Sequence, residues 1–184
     1  MKLHIGCGQR YLVGYKHYDI RKIDDHIDFV GRAEDLSQFE DETAEEIYAC
    51  HLLEHFGRWK SDAALREWNR VLKTGGILRI AVPDFEAVVQ EYAKHHNLAG
   101  LMGLLYGGQD YDYNYHYEAF DFKYLKDKLT DNGFSDVKRY DWEQFLPGGG
   151  YDDCSRAYLP HMDFEHGRLM SLNVVAVKRK HLIS

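Results

Sequence analysis

Between Ser61 and Val82 the hydrophobic period changes once, and that change restricts the fold more than any other feature. In SDAALREWNRVLKTGG, residues Ala64, Leu65, Trp68, Val71 and Leu72 recur at the three-and-four spacing of a single helical face. Gly75-Gly76 follows, and then ILRIAV runs up to Pro83. A short run that is apolar at nearly every position suits a strand covered on both faces. A helix that feeds such a strand is half of a βαβ unit, so the chain is expected to be α/β with a largely parallel sheet. Ser61 is read as the helix N-cap and the glycine pair as its left-handed stop.

The alternation extends along the chain. Strands are expected at Lys2–Ile5, Lys16–Ile20, Ile27–Val30, Glu46–Cys50, Ile77–Val82, Asp136–Tyr140 and Leu172–Lys178. Phe85, Val88, Val89 and Tyr92 mark a second helix. Asp121 caps a third, FKYLKDKLTDNGF, with Gly133 as its stop. Only Gly6 to Tyr15 separates the first two strands, too short for an ordinary helical crossover, so the first helix is expected to shrink to a turn or two. No repeat or linker divides the 184 residues. The expectation is one domain over 1–184, with a substrate-side insert at 97–120 and a loop-rich insert at 141–171 that contains PGGG, Pro147–Gly150.

Composition removes several classes of partner. A net charge of −7 argues against an extended nucleic-acid track. No stretch approaches the ~20 apolar residues of a membrane span. MKLHIGCG lacks the apolar core of a signal peptide. Cys7, Cys50 and Cys154 are an odd set without metal spacing, which suits a reducing compartment; the expected location is cytoplasmic, as a monomer or homodimer.

The chemistry begins at LHIGCGQR. A strand that ends in Gly6-Cys7-Gly8 lets backbone approach a ligand closely. Asp19 and Ile20, in KHYDI, close the next strand, where a carboxylate can accept both hydroxyls of a ribose. The plain alternative is a pair of turn glycines and a surface aspartate. Further on, His51-Leu52-Leu53-Glu54-His55 spells H-x-x-E-H. Three readings stand: a zinc peptidase, histidines at a helix start with no ligand, or a metal site. On a helix, positions i, i+3 and i+4 share a face, so His51, Glu54 and His55 would converge beyond the fourth strand. His116, in DYNYHYEAF, is a further candidate ligand and the first choice of general base if no metal binds. Three histidines and a glutamate suit Zn²⁺, Fe²⁺, Co²⁺ or Mn²⁺ better than Mg²⁺. Asp84, after Val82-Pro83, is read either as a catalytic group at the pocket mouth or as the N-cap of the next helix. Leu105–Phe120, LYGGQDYDYNYHYEAF, is either a stacking surface for a ring or sugar or a tyrosine cover over the sheet.

The order IGCG…YDI…AEDL…IYACHLLEHF…LREWNRVLKTGGILRIAVPDF resembles the class I S-adenosylmethionine-dependent methyltransferase family, in particular its compact members for glycan and small-molecule substrates. The match is close from Lys2 to Phe85 and looser from Tyr106 to Phe134. Arg70-Val71-Leu72-Lys73-Thr74-Gly75-Gly76 is its most specific part. The resemblance implies a Rossmann-like seven-stranded sheet, order 3-2-1-4-5-7-6, with an antiparallel seventh strand and helices on both faces. It implies S-adenosylmethionine beside Gly6, Cys7 and Gly8, its ribose on Asp19, its adenine against Asp35 and Leu36, and Cys50 and His51 near by. The implied activity is O-methylation of a sugar or other small-molecule hydroxyl; a cofactor-binding module without catalysis is the alternative. HLLEH itself is similar to the E-x-x-E-H segment of metal-dependent O-methyltransferases, with His51 in place of the first glutamate. The chain departs from the family in starting its first strand at residue 2 and in its short first crossover.

Overall fold

The computed structural model describes residues 1–145 and 154–180. The expected PGGG loop lies outside the described residues. Seven strands form one sheet: β1 (Lys2–Ile5), β2 (Lys16–Asp19), β3 (Phe29–Val30), β4 (Ala44–Cys50), β5 (Leu72–Pro83), β6 (Phe134–Arg139) and β9 (Ser171–Lys178). Their order is β3-β2-β1-β4-β5-β9-β6, which in chain order of the sheet strands is the expected 3-2-1-4-5-7-6. β1 to β5 pair in parallel, and β9 runs antiparallel to both of its neighbours. The helices are α1 (Arg58–Val71), α2 (Phe85–His95), α3 (Met102–Tyr106), α4 (Phe122–Asp131) and the short α5 (Trp142–Phe145). Among the described residues no helix is long and apolar enough to cross a membrane.

The strands alternate in chemistry as well as in direction. Leu3 and Ile5 of β1, Tyr18 of β2, Ile47 and Ala49 of β4, and Leu78, Ile80 and Val82 of β5 join one core cluster. α1 completes it with Ala64, Leu65, Trp68 and Val71, and α4 with Leu125 and Leu129. Trp68 is fully buried and donates from its indole to the Ala33 carbonyl at 2.7 Å, so it fixes the β3–β4 connection as well as the core. The alternate side chains, His4, His17 and Tyr48, lie on the other side of the pleat, since successive side chains point to opposite faces. That side holds rings in place of aliphatics: His4 sits 5.1 Å from Tyr48 and 5.7 Å from His17. Phe145 of α5 packs on Tyr48 at 4.9 Å. The expected helix between β1 and β2 is reduced to turns, and among the described residues the first α-helix starts at Arg58.

Three local expectations are corrected. α1 begins three residues before Ser61, with Gly57 at its N-cap. Ser61 is a buried residue inside the helix, where its hydroxyl donates to Glu118 Oε2 at 2.6 Å and lies 2.9 Å from Arg58 O. Gly75-Gly76 does not stop the helix. Leu72 is already extended (φ −67°, ψ 139°) and pairs with Ala44, so the glycines lie within β5. The 141–171 stretch holds more than loop: α5 and a ribbon of β7 (Tyr158–Leu159) with β8 (Arg168–Leu169). Asp121 caps α4 as expected, by accepting from Tyr124 N at 2.7 Å.

Candidate active site

β1 and β2 end side by side, and their ends are tied together. Gly6 turns the chain in the left-handed region (φ +63°), and its N–H reaches Tyr18 O at 2.8 Å. A Cβ there would meet Leu52 Cδ1 at 2.7 Å, so close packing and conformation both call for glycine. Gly8 (φ +55°) differs: a Cβ on it would meet nothing within 4 Å. Its backbone therefore borders open space, and its N–H donates to Asp19 Oδ2 at 2.8 Å. Asp19 Oδ1 accepts from Arg21 N at 3.0 Å. One carboxylate thus clamps the glycine turn to the end of β2.

The open space is a cleft of about 340 Å³ beyond the carboxyl ends of the parallel strands, the usual place for a ligand in such sheets. Gly6, Gly8, Asp19, Ile20 and His51 line it, as the sequence leads one to expect. Cys7 does not; it is buried beneath the turn, and burial followed by the Asp19 charge pushes its thiol up to about 12. Cys50 ends β4, half-buried, and is not part of the lining. Asp35 and Leu36 are not among the lining residues either. Leu36 is fully buried in the core, and the Asp35 carboxylate turns to Ser37 N at 3.1 Å. The lining residues there are Ala33 and Glu34. Sequence reasoning missed Arg21, Arg32 and Lys60 on the cleft wall, and did not single out Tyr111, Tyr113 and Tyr117 within the tyrosine-rich segment. The Arg21 guanidinium lies 4.4 Å from the Tyr111 ring centroid, a cation–π contact across the cleft rim. The alternating tyrosines were the available signal, and of Tyr111, Tyr113, Tyr115 and Tyr117 all but Tyr115 line the cleft.

HLLEH follows β4 directly, but it is not the helix that the spacing suggested. Leu53–His55 forms a single 3₁₀ turn, and His51 stands in the left-handed region (φ +47°), uncommon for a residue with a side chain. A peptidase H-x-x-E-H needs both histidines on one continuous helix, so the structure overturns that reading. His51 turns one ring nitrogen out of the expected set: its Nε2 lies 3.1 Å from Ser171 Oγ, which in turn donates to Asn173 Oδ1 at 3.0 Å. Its Nδ1 is 3.4 Å from Glu54 Oε1. Glu54, His55 and His116 do converge, with one ligand atom from each lying within 4.8 Å of the others. His116 arrives on the 107–120 segment, whose backbone is pinned by Tyr117 N to Glu54 O at 2.8 Å and His116 N to Tyr106 O at 3.1 Å. The His55 and His116 rings meet edge to face at 4.7 Å. His55 lies 3.1 Å from Tyr115 O through Nδ1, and His116 lies 2.9 Å from Leu104 O through Nδ1.

Burial dominates the electrostatics of this corner. It pushes Glu54 up to about 8. It holds His51 down to about 3 and His55 to about 4, with the neighbouring imidazoles adding to the effect, and lowers His116 as well. All three imidazoles are neutral at pH 7, bearing a lone pair each. Of the three residues that converge, His55 reaches the cleft wall; His116 stands behind it. Asp84 is not brought to the cleft. It caps α2, accepting from Glu86 N at 3.0 Å, and pairs with Arg139 Nη1 at 3.1 Å.

Comparison with known proteins agrees with this architecture. Residues 3–80 match the sequence profile of a family described as "Methyltransferase domain". A methyltransferase in complex with the Trm112 activator of Haloferax volcanii is similar in structure, with a TM-score of 0.59 at 16% identity, over 98% of this chain and 82% of that one. An S-adenosylmethionine-dependent methyltransferase of Thermotoga maritima gives 0.60 at 17% identity, over 97% and 82%. Another from Methanosarcina mazei gives 0.58 at 18% identity, over 97% and 92%. At these identities the likeness is one of fold. A search of curated proteins finds no match.

Proposed function

We propose that the chain is an S-adenosylmethionine-dependent methyltransferase of class I, a reading supported by its fold and by the family match over residues 3–80, and that it methylates the hydroxyl of a sugar or other small molecule. When bound, S-adenosylmethionine supplies a methyl group on a sulfonium, so transfer leaves a neutral thioether and needs no acid to expel it. The residues present suit that cofactor. Gly8 leaves a bare backbone edge on the cleft, and Asp19 stands at the β2 end with its carboxylate clamped by two amides. Ile20, Ala33 and Glu34 continue the wall toward β3, on the side where an adenine would lie.

The observation that carries the hydroxyl reading is the imidazole corner beside this wall. A hydroxyl gains a methyl only as it loses a proton; the oxygen's lone pair forms the new C–O bond and the C–S pair returns to sulfur. His55, on the cleft wall and neutral at pH 7, can orient the acceptor oxygen and receive its proton, with the neutral His116 ring packed edge to face behind it. Tyr111, Tyr113 and Tyr117 add ring faces to the same cleft, which suits a sugar or planar acceptor. Asp84, committed to α2 and Arg139, has no step in this scheme.

The test is transfer of a labelled methyl group onto panels of sugars, phenols, small carboxylic acids and amines. The expected product carries the label on oxygen. Label appearing only on nitrogen or carbon would overturn the hydroxyl assignment. Tight binding of S-adenosylhomocysteine with no transfer to any panel would favour a binding module.

A further inference from the structure

We propose that His17, with His4 and His26 packed against it, is an acid-sensitive latch on the turn 7–15 between β1 and β2, so that acidification frees the turn and weakens cofactor binding in the cleft. The consequence for the cofactor rests on the methyltransferase reading; the latch itself rests on one bond between His17 and Leu12. β2 grips the turn with two side chains that share a face of the strand, Asp19 on the Gly8 amide at 2.8 Å and His17 Nε2 on the Leu12 amide at 2.9 Å. The first grip uses a carboxylate. The second uses a neutral imidazole, because an amide N–H only donates and Nε2 must offer it a lone pair. The ring proton is then on Nδ1, 3.6 Å from Asp28 Oδ2. A proton added to Nε2 sets two donors against each other, and the bond is lost.

Little else holds this part of the turn. No residue from Gln9 to Gly14 is buried, and Val13 is 81% exposed. Tyr11 stacks its ring on His17 at 4.9 Å. The bonds of Arg10 N to Cys7 O and of Tyr15 N to Leu12 O lie within the turn and move with it. The groups packed round His17 set its response to acid. From β1, His4 lies 5.7 Å away, with Tyr48 of β4 against its far side and the charge of Arg10 near it. From the β2–β3 connection, His26 meets His17 edge to face at 5.1 Å, and Asp24 lies 3.4 Å from His26 Nδ1. Asp28 faces His17 too, but its carboxylate is already shared between Lys16 Nζ at 2.7 Å and the His17 amide at 2.8 Å. Burial first, then His26, lower the pKa of His17 in the closed turn against the pull of Asp28. In an opened turn the ring regains water and titrates near its ordinary value of about 6.5. The latch is therefore complete above that pH and is lost as pH falls below it. Between about pH 7.5 and about pH 5.5, one such imidazole raises the opening equilibrium by up to about tenfold.

The test is hydrogen exchange of the Leu12 amide, followed by NMR in the ligand-free full chain and corrected for its intrinsic dependence on pH. Wild type is expected to lose about tenfold in protection over that range. His17→Gln, whose Oε1 accepts the same bond and takes no proton, should hold its protection within about threefold. Should that variant fail to fold, nitrogen-15 NMR of the wild-type ring decides: a proton on Nδ1 and a bare Nε2 are expected, and the opposite tautomer overturns the latch. Wild-type exchange that follows intrinsic chemistry alone, or an equal fall in both proteins, overturns it as well. Affinity for S-adenosylhomocysteine, by calorimetry, should weaken about three- to tenfold over the same range in wild type and stay level in His17→Gln. Equal slopes in the two proteins overturn the link to the cofactor. No binding at either pH sinks the methyltransferase reading, and the exchange experiment still decides the latch.

Discussion

Replacing Asp19 with asparagine tests the clamp between the glycine turn and β2 with little change in shape. Both carboxylate oxygens are in use, Oδ2 by the Gly8 amide at 2.8 Å and Oδ1 by the Arg21 amide at 3.0 Å. Asparagine offers one oxygen and one NH₂, so it must aim a donor at one of those amides. Asp19 is only 6% exposed, which leaves water little room to intervene. Losing one charge-assisted bond and facing two donors costs about 2–3 kcal/mol. If the turn holds its shape, the loss appears in the free energy of unfolding. If the turn opens to relieve the clash, it appears as about 30- to 150-fold weaker binding of S-adenosylhomocysteine. Chemical denaturation without ligand and calorimetry with it measure the two parts, and their sum is the predicted quantity. Asp19→Ala, which removes the clash and both acceptors, should bind at least as weakly as Asp19→Asn. An asparagine variant within about 0.5 kcal/mol of wild type in both measurements would refute the reasoning.

Three further outcomes follow from single contacts. Gly6→Ala combines left-handed strain of about 1–2 kcal/mol with a Cβ placed 2.7 Å from Leu52 Cδ1; adding Leu52→Ala should recover the clash but not the strain, and full recovery in a double-mutant cycle would contradict this account. Ser61→Ala removes a 2.6 Å bond to the buried Glu118 carboxylate and should cost about 1–3 kcal/mol, with faster hydrogen exchange in 107–120; unchanged exchange there would separate Ser61 from the loop. His4 is held down to about 3 by burial first, then by the charges of His17, His26 and Arg10. The unfolded chain takes up this proton near pH 6.5, so the contribution is complete above that pH and is lost as pH falls toward 3. Relative to wild type, His4→Phe should therefore flatten the decline in stability between pH 6.5 and 4 by up to about 1.4 kcal/mol per pH unit; parallel curves would show that His4 does not set it.

What could be read from sequence, and what could not, divides by the distance over which a residue is determined. The α1 stripe and the β5 run are local patterns, and both elements form where periodicity places them, with the strand order that follows from the family resemblance. Ser61 misleads because cap preference is a local rule, whereas its hydroxyl is claimed by Glu118, a residue 57 positions away. β3 is two residues long and offers no period from which to count. The cleft wall beyond it falls on Ala33 and Glu34, just ahead of the expected Asp35 and Leu36. HLLEH shows the same division inside five residues. Its spacing nominated Glu54 and His55, which converge with His116, but through a helical face that does not exist. His51 leaves the set because a left-handed backbone turns its ring to Ser171, and His116 joins because backbone bonds at Tyr106 and Tyr117 fix the register of a distant loop. Spacing can name side chains able to share a ligand; whether they do is decided by those few long-range backbone bonds. The Glu54 side chain they enclose, buried with neither oxygen hydrogen-bonded among the described residues, is the point at which that long-range geometry becomes chemistry.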